Sequence, residues 1–361
     1  MSRTERKWSV RAYRDGDEEG ILELWKVVYP RPTYHREEWM RWWNWIYKAN
    51  PHGIGVIFVA DHDGKIVGHA AEIPIAMKIG SESRLVGLGA DALTHPDYRR
   101  QGMYVELVKT RRAEGERRGI LATYSFPNEL SYPAMLTRGL TFDIATMQKV
   151  VKPLNWRNAL GTQTQNRIVL TIGPLAGTLL SAALFRPRKA PALKGLTITQ
   201  VSRFDERFDE LCRRVSDRYQ VIVLRKKEYL NWRYVAVPDK SYSIYAAQRS
   251  EAVVGYLVLS RDRTDQAKTG TVVDVFAESE EVTQCLISEA VERCRQEKMD
   301  LVYSARIAGT PLARAFRRNG FLPVPLAREI RLTGFSNSPI IAEQLLNPKN
   351  WFLQIGDSDH G

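Results

Sequence analysis

The stretch Ala90–Gly119, which reads ADALTHPDYRRQGMYVELVKTRRAEGERRG, decides how the rest of the chain is interpreted. Its apolar beginning, Ala90–Thr94, predicts a buried strand. His95 precedes a proline and ends the strand, because the residue before proline avoids helical backbone angles. A basic turn follows that contains Gly102, and apolar residues then recur at helical spacing over Met103–Arg118. The stretch therefore predicts a strand, a basic glycine turn and a helix.

This arrangement has the chemistry of a pyrophosphate site. A glycine lets backbone N–H groups approach a ligand, and the beginning of a helix adds positive partial charge. An ordinary strand-to-helix turn with solvated arginines would have a similar sequence, since a glycine turn by itself is a weak signal. The local sequence leaves both interpretations open.

The segment THPDYRRQGMY, residues 94–104, resembles the acetyl-CoA motif of the GNAT N-acetyltransferase superfamily. That motif, (Arg/Gln)-x-x-Gly-x-(Gly/Ala), follows a strand ending in His-Pro. Arg99 and Gly102 match it, whereas Tyr104 stands where the family prefers Gly or Ala. The resemblance implies acetyl-CoA as acyl donor, with a backbone amide near Leu93 or Thr94 donating to the thioester carbonyl. The cofactor-binding residues it implies are Leu93, Thr94, Arg99, Arg100, Gln101, Gly102, Met103, Tyr104 and Asn128.

Composition narrows the class of protein. The 361 residues are enough for two globular domains, and a net charge of +12 favours anionic partners such as polyphosphates, nucleic acid or a membrane surface. Three scattered cysteines provide neither a disulfide framework nor a CxxC metal site. The polar beginning, MSRTERKWSV, lacks the apolar core of a signal peptide. We therefore expect a cytoplasmic protein without a metal site.

The predicted elements follow one another in the order expected of a GNAT domain. Residues 7–152 read as a strand, two helices, three strands, a helix, a strand, a helix and a strand. The fold class expected is α/β, in the form of a mixed, mostly antiparallel twisted sheet flanked by helices.

The chain also repeats itself. Asn44–Pro51, NWIYKANP, recurs as Asn231–Pro238, NWRYVAVP, at an offset of 231 − 44 = 187. The same register continues through a predicted hairpin, and a short deletion then places Asp274 opposite Asp91 (274 − 91 = 183). The chain is therefore predicted to be a tandem duplication of one domain.

The second copy has lost the basic turn. Its register places Val282, Thr283 and Cys285 opposite Arg99, Arg100 and Gly102, among three glutamates that would repel a pyrophosphate. We expect one cofactor per chain. The predicted parts are a cofactor-binding GNAT domain over residues 1–152, a linker over 153–195, a degenerate GNAT-like domain over 196–335 and a docked tail over 336–361.

The linker contains an apolar stretch, Ile168–Phe185, with basic residues on both sides. It is interpreted as a helical linker packed between domains, and peripheral membrane contact through residues 168–189 or a short membrane span stays open as an alternative. On the helix of the motif, Lys109, Arg111 and Arg112 either reach the adenosine phosphates or form a solvated face.

The catalytic groups are less clear than the cofactor site. Asp91 and Glu72 are the candidate bases, although Asp274 persists at the Asp91 position in the copy without a cofactor, which favours a structural role. The family's usual acid, a tyrosine four residues before the glycine that ends the last helix, is replaced by Met135. Tyr132 is the best substitute, with Tyr124 behind it. Asn128 either contacts the cofactor arm or caps a helix.

The tail Asn347–Gly361 is too apolar at Trp351 and Phe352 to be free, so we expect it to dock. In a related tandem family that acetylates aminoglycosides, the chain terminus enters the active site. By that analogy Asp357 and Asp359 would hold a cationic acceptor; a simple Gly-Asp-Ser-Asp turn is the alternative.

The function expected is transfer of an acetyl group from acetyl-CoA to the primary amine of a small molecule, such as an amino sugar or amino acid derivative. One alternative is a tRNA-dependent aminoacyl transferase of the type that acts on peptidoglycan precursors. The RRQG turn argues against that alternative and against nucleic acid as a partner. Another alternative is an acyl-CoA sensor without catalysis.

Overall fold

The computed structural model describes residues 7–30, 35–156, 158, 193–263, 267–324 and 329–359. The stretch 168–189, with its proposed membrane contact, and most of the predicted linker lie outside the described residues. The first half contains β1 (Ser9–Ala12), α1 (Asp17–Val28), α2 (Arg36–Trp43), β2 (Val56–His62), β3 (Lys65–Ile79), β4 (Glu82–Thr94), α3 (Met103–Arg117), β5 (Ile120–Ser125), α4 (Ser131–Thr137) and β6 (Phe142–Pro153).

The second half repeats this order with two additional short strands, β8 and β13, and a tail. It contains β7 (Leu196–Val201), α5 (Glu206–Ser216), β8 (Val221–Val223), α6 (Lys227–Tyr234), β9 (Tyr242–Arg249), β10 (Ala252–Arg263), β11 (Lys268–Ala277), α7 (Glu280–Gln296), β12 (Leu301–Ile307), α8 (Pro311–Arg318), β13 (Leu322–Pro323), β14 (Ile330–Phe335), α9 (Pro339–Leu346) and β15 (Trp351–Phe352). The mixed α/β class expected from the sequence is confirmed.

The strands form one continuous sheet whose order is symmetric about its centre. The order is β1-β2-β3-β4-β5-β14-β6-β12-β11-β10-β9-β7. Each half therefore contributes its last long strand to the sheet of the other half. β14 of the second half lies between β5 and β6, and β6 of the first half pairs with β12. The division into domains at residues 152 and 196 stays a prediction, but the halves share this central part of the sheet.

Two equivalent tryptophans show the same two-fold relation outside the sheet. The indole N–H of Trp45 donates to the backbone oxygen of Trp232 over 2.8 Å. In return, the indole N–H of Trp232 donates to the backbone oxygen of Trp45 over 2.9 Å. Their rings stack with centroids 5.0 Å apart. The residues differ by 187 in number, which is the offset of the repeat. Reciprocal contacts of this kind are typical of a two-fold interface, so the duplication expected from the sequence has its counterpart in the structure.

Each half opens a cleft where two parallel strands part. In the first half, β4 and β5 pair only as far as Gly89 and Ser125. In the second half, β11 and β12 pair only as far as Thr271 and Tyr303. The residues of β4 beyond Gly89 keep their partners on β3, so the sheet stays intact on one side of the strand.

Alternation along β3 separates the two faces of the first half. Gly68 faces α3, because a Cβ placed there would lie 2.6 Å from the sulfur of Met103. His69 faces the other way, where its ring lies 5.7 Å from that of Trp43. One face of the cleft therefore belongs to α3 and the other to the aromatic core beside α2.

Candidate functional site

The basic turn after β4 is exposed and has the backbone of an anion site. Arg100 and Gly102 both have positive φ, 63° and 82°, and α3 begins at Met103. Gly102 precedes the helix without a side-chain cap. The first N–H groups of a helix need partners from outside the helix. The turn therefore presents backbone donors and two exposed arginines, Arg99 and Arg100, at one point.

Other residues of the motif hold this turn in place. The indole N–H of Trp8 donates to the side-chain oxygen of Gln101 over 3.1 Å, and Tyr98 bonds to the ring of His62. Met103 is buried against Gly68. The side chains of Gln101 and Met103 therefore support the turn from within.

The second half lacks this turn, and the structure corrects the alignment there. Gly68 contacts Met103, and its equivalent Gly255 contacts Val282. The helices therefore correspond at an offset of 282 − 103 = 179, so the connection is four residues shorter in the second half. The sequence alignment paired Arg99, Arg100 and Gly102 with Val282, Thr283 and Cys285, which is four residues too far along.

The beginning of α7 has a side-chain cap and an acidic first turn. The hydroxyl of Ser279 accepts from the N–H of Val282 over 3.2 Å, and Glu280 and Glu281 occupy the first turn. A side-chain cap and two acidic residues satisfy the helix terminus that a phosphate would otherwise bind. This geometry favours the expectation of one cofactor per chain, which stays a prediction.

The tail fills the cleft of the second half. The side-chain oxygen of Gln354 accepts from the N–H of Val275 over 2.9 Å, and its amide nitrogen donates to the carbonyl of Val275 over 2.9 Å. Val275 corresponds to Ala92 of β4 (275 − 183 = 92). One primary amide thus makes the pair of bonds that a neighbouring strand would make.

Asp91 lies at a β-bulge with φ of 49°. The hydroxyl of Tyr47 donates to its carboxylate, and Nδ1 of His69 lies 2.6 Å from its backbone oxygen. Burial, together with the charge of Asp91, raises the pKa of Tyr47 well above its usual value. The carboxylate of Asp91 is therefore tied to the aromatic core, and the residue as a whole is partly exposed.

The same contacts recur in the second half, which assigns part of them to the fold. Tyr234 and Tyr256 donate to the carboxylate of Asp274 over 3.2 and 2.8 Å. They stand 187 residues after Tyr47 and His69. Asp274 is buried, and Arg225 lies 3.2 Å from it. A tyrosine bonded to this aspartate is thus common to both halves, whereas exposure of the aspartate belongs to the first half.

Glu72 does not face the cleft as a base. Its side chain is completely buried under α3, where Thr123 donates to Oε1 over 2.5 Å and Arg111 lies 3.7 Å away. A general base must reach the proton it removes. Burial excludes that contact, so the expectation for Glu72 was wrong. Arg111 is buried too and belongs to neither a phosphate site nor a solvated face.

The two candidate tyrosines lie in different surroundings. The hydroxyl of Tyr132 donates to Asp143 over 3.0 Å and accepts from Arg331 over 3.1 Å. Partial burial and the bond to Asp143 raise the pKa of Tyr132, while Arg331 opposes the change. Tyr124 is completely buried and donates to the backbone oxygen of Asp357 over 3.0 Å. Of these two hydroxyl-bearing residues, only Tyr132 is partly exposed, and its role as an acid stays a prediction.

Asn128 has the capping role. Its side-chain oxygen accepts from the N–H groups of Leu130 and Ser131, over 3.0 and 2.9 Å, at the beginning of α4. Its amide nitrogen lies 3.5 Å from the hydroxyl of Tyr29. The contact to a cofactor arm stays a prediction.

The two aspartates of the tail separate. Asp357 is buried and bonds to Arg225 over 2.8 Å, so it cannot hold an acceptor. Burial raises its pKa to about 6, with Arg225 opposing and Asp274 adding to the change. Burial is the main cause that raises the pKa of Tyr47 and of Tyr124, and the charge of Asp359 adds a smaller contribution to both. Asp359 is partly exposed and lies two residues beyond Asp357, whose backbone oxygen accepts from Tyr124 of the first half.

The described residues contain neither a cluster suited to a metal ion nor a helix suited to a membrane span. Across these residues no three His, Cys, Asp or Glu side chains are arranged to hold a metal ion. Within the same part of the chain, no helix combines the length and the apolar character needed to cross a membrane.

Comparison with known proteins supplies the family. Residues 9–138 match the family model described as acetyltransferase (GNAT) domain. This part of the chain is a GNAT acetyltransferase domain. The resemblance seen in the RRQG turn is thus confirmed, and so is the expectation of an acyltransferase, the class of enzyme to which the domain belongs. Acyl-CoA is the donor that GNAT domains use.

Solved structures share the fold along most of the chain. A GCN5-related N-acetyltransferase from Anabaena variabilis is 14% identical, with a TM-score of 0.62 over 91% of this chain and 72% of that one. Eis1 from Mycobacterium abscessus is 13% identical, with 0.57 over 90% and 72%. Saccharomyces cerevisiae N-myristoyltransferase with bound myristoyl-CoA is 12% identical, with 0.59 over 91% and 82%. No curated protein matches the sequence.

Several residues around the two clefts were not expected from the sequence. Tyr47 lies in the repeated NWIY segment, and its recurrence as Tyr234 was the available signal. His69 gave no signal, and Arg111 was expected at the phosphates or on a solvated face, because the role of each depends on which face of the sheet it meets. Gln354 gave none either, because its partner Val275 lies about 80 residues away in sequence.

Proposed function

We propose that the chain transfers an acetyl group from acetyl-CoA to the primary amine of a small molecule, by direct attack of the amine on the thioester. One observation carries the proposal. In the first half, β5 no longer pairs with β4 beyond Gly89. The end of β4 is followed by the turn with Arg99 and Arg100 and by α3, which begins without a side-chain cap. In the second half, the tail fills the equivalent cleft and Ser279 caps the helix.

The cofactor end of this site rests on donors that the turn supplies. Backbone N–H groups at the beginning of α3, together with Arg99 and Arg100, suit a pyrophosphate. The equivalent cleft of the second half supports pairing of β4 with the amide-containing arm of acetyl-CoA, since the side-chain amide of Gln354 pairs there with Val275. Leu93 and Thr94 supply the backbone nearest the bulge. The family model's description favours acetyl as the acyl group.

The acceptor end has negative charge beside the bulge. Asp91 is partly exposed, and so is Asp359, which follows the part of the tail that Tyr124 of β5 binds. Two carboxylates attract a protonated amine, and Asp91 then accepts a proton before the amine attacks. Tyr132 is the proposed donor to the departing thiolate. An amino sugar or an amino acid derivative carries the required amine.

A charge-reversal pair tests the cofactor site. We expect Arg99→Glu/Arg100→Glu to weaken acetyl-CoA binding at least tenfold in calorimetry, because two cations at the pyrophosphate become anions. Arg293→Glu/Arg295→Glu is the matched control, since these arginines are exposed on α7 and the change in net charge is the same. Equal losses in both pairs would show only the effect of net charge and would contradict the proposed site.

Release of free thiol from acetyl-CoA with a panel of amines tests the reaction itself. Thiol release that depends on one class of amine supports the transferase. Tight acetyl-CoA binding without release for any amine supports the sensor. The net charge of +12 is the observation that favours the tRNA-dependent alternative, and tRNA binding that is stronger than acetyl-CoA binding and falls with salt would support it.

A further inference from the structure

A buried charged cluster lies under the cleft of the first half. It consists of Glu72 on β3, Arg111 on α3 and Thr123 on β5, and Arg111 is only 3% exposed. One terminal nitrogen of Arg111 donates to the backbone oxygen of Ala71 over 2.8 Å, and the other lies 3.7 Å from Glu72. Among the described residues, the Nε of Arg111 and the Oε2 of Glu72 have no hydrogen-bond partner.

The guanidinium lies where the cleft begins. Gly89 and Ser125 form the last paired position of β4 and β5. A Cβ placed at Gly89 would lie 3.5 Å from both terminal nitrogens of Arg111. The same positive charge lowers the pKa of His69 and opposes the rise in that of Tyr47, both on the other face. Arg111 is therefore at the inner end of the cleft, between the α3 side and the Asp91 side.

The second half shows that the fold does not need these charges. Leu259 corresponds to Glu72 (259 − 72 = 187). Ala290 corresponds to Arg111 (290 − 111 = 179), and Val302 corresponds to Thr123, since each pairs with the equivalent glycine of its motif strand. These three apolar residues are completely buried.

A buried ion pair rarely stabilises a protein more than apolar residues of similar size would. The charges are therefore better explained by what the cleft binds. A hydrocarbon chain packed against the guanidinium of Arg111 would remove water from a charged group, which is unfavourable. A short acyl group would end before the guanidinium, whose polar atoms could then bond to a carbonyl oxygen or to water.

We propose that Arg111, held by Glu72, is a specificity-determining residue that ends the acyl site and restricts the donor to short acyl groups. This inference rests on the proposed function, because it assumes that the cleft binds an acyl-CoA. It adds the chain length of the donor and the residue that sets it.

Calorimetry with acetyl-, butyryl-, hexanoyl- and octanoyl-CoA, without acceptor, tests the proposal. For the wild type we expect affinity to fall at least tenfold from acetyl to octanoyl. The variant Glu72→Leu/Arg111→Ala/Thr123→Val copies the second half, so no charge is left unpaired and space opens at the inner end. We expect its acetyl-to-octanoyl affinity ratio to shift at least tenfold towards octanoyl.

Controls separate a specific effect from a structural one. Arg112→Leu removes a neighbouring guanidinium that stacks on Phe335, 3.9 Å from its ring, and should leave the ratio unchanged. A general loss of packing would weaken all donors equally. If the triple variant does not fold, Glu72→Gln/Arg111→Met removes both charges at nearly constant volume and should shift the ratio in the same direction.

The two proposals fail in different ways. Binding of acyl-CoA with the same ratio in the wild type and the variants would overturn the role of Arg111 and leave the proposed function intact. No binding of any acyl-CoA to the wild type would overturn the proposed function, and the role of Arg111 with it.

Discussion

His69 is the residue whose environment differs most from what its chemistry prefers. Its side chain is completely buried between the rings of Trp43 and Tyr47. Burial lowers its pKa to about 4, although the bond to the backbone oxygen of Asp91 opposes the change and Arg111 adds to it. The neutral ring, with its proton on Nδ1, therefore holds the carbonyl at the bulge.

This burial predicts a loss of stability in acid. The unfolded chain binds a proton at His69 near pH 6.5 and the folded chain only near pH 4, so stability falls as the pH drops through that window. The contribution is on the order of 3 kcal/mol. We expect His69→Gln, which still donates to Asp91, to flatten the unfolding free energy between pH 4 and 6.5.

Urea unfolding at several pH values measures this effect. His35 is exposed, and His35→Gln is the matched control, whose curve should follow that of the wild type. A His69→Gln curve parallel to the wild type over the same window would contradict the assignment.

At the residue scale the sequence predicted types of group better than their roles. Asp91 and Glu72 looked equivalent, since both are acids in adjacent predicted strands. Their positions differ because Glu72 meets α3, while the bulge turns Asp91 towards Tyr47. The repeat helped with Asp91: the recurrence of its partner as Tyr234 shows that the contact with tyrosine belongs to the fold.

The tail is the element that most changes the interpretation of the second half. Its Gln354 pairs with β11, and Asp357 meets Arg225 between β8 and α6. Arg233 then donates to the backbone oxygens of Gly356 and Ser358. A cleft that resembles a cofactor site thus anchors the end of the chain and directs it towards the first half.

The anchor depends on Arg225, which is completely buried between Asp274 and Asp357. Arg225→Met leaves two buried carboxylates without their cation, and we expect a loss of about 3–5 kcal/mol in the free energy of unfolding. Arg293→Met is the matched control, because Arg293 pairs with Glu289 on the surface of α7; its cost should stay below about 0.5 kcal/mol. Equal effects of the two variants would show that the buried network contributes nothing special.

The whole molecule is held together by the exchange of strands. β14 completes the sheet of the first half, and β6 lies beside β12 of the second. If the halves are separated, β5 loses its partner on one side and β6 loses both of its long partners. Exposed edges of this kind favour aggregation.

We therefore expect residues 1–153 alone to aggregate or stay unfolded, and to form a folded complex when co-expressed with residues 193–361. Gel filtration and circular dichroism distinguish these outcomes. Co-expression of residues 1–153 with 193–335, which lack the tail, is the control and should give less complex. A folded, monomeric 1–153 fragment would show that the exchange is not required.

The sequence by itself determined the order of the elements, the duplication and the position of the basic turn. These features are local: hydrophobic periodicity, a Gly turn and an eight-residue repeat are legible in short stretches. Only the tertiary structure decided that the last strands cross over, that Glu72 and Arg111 are buried under α3, and that Gln354 fills the second cleft. Each of these depends on which distant segments meet, and burial against a distant partner leaves no periodic trace in the chain.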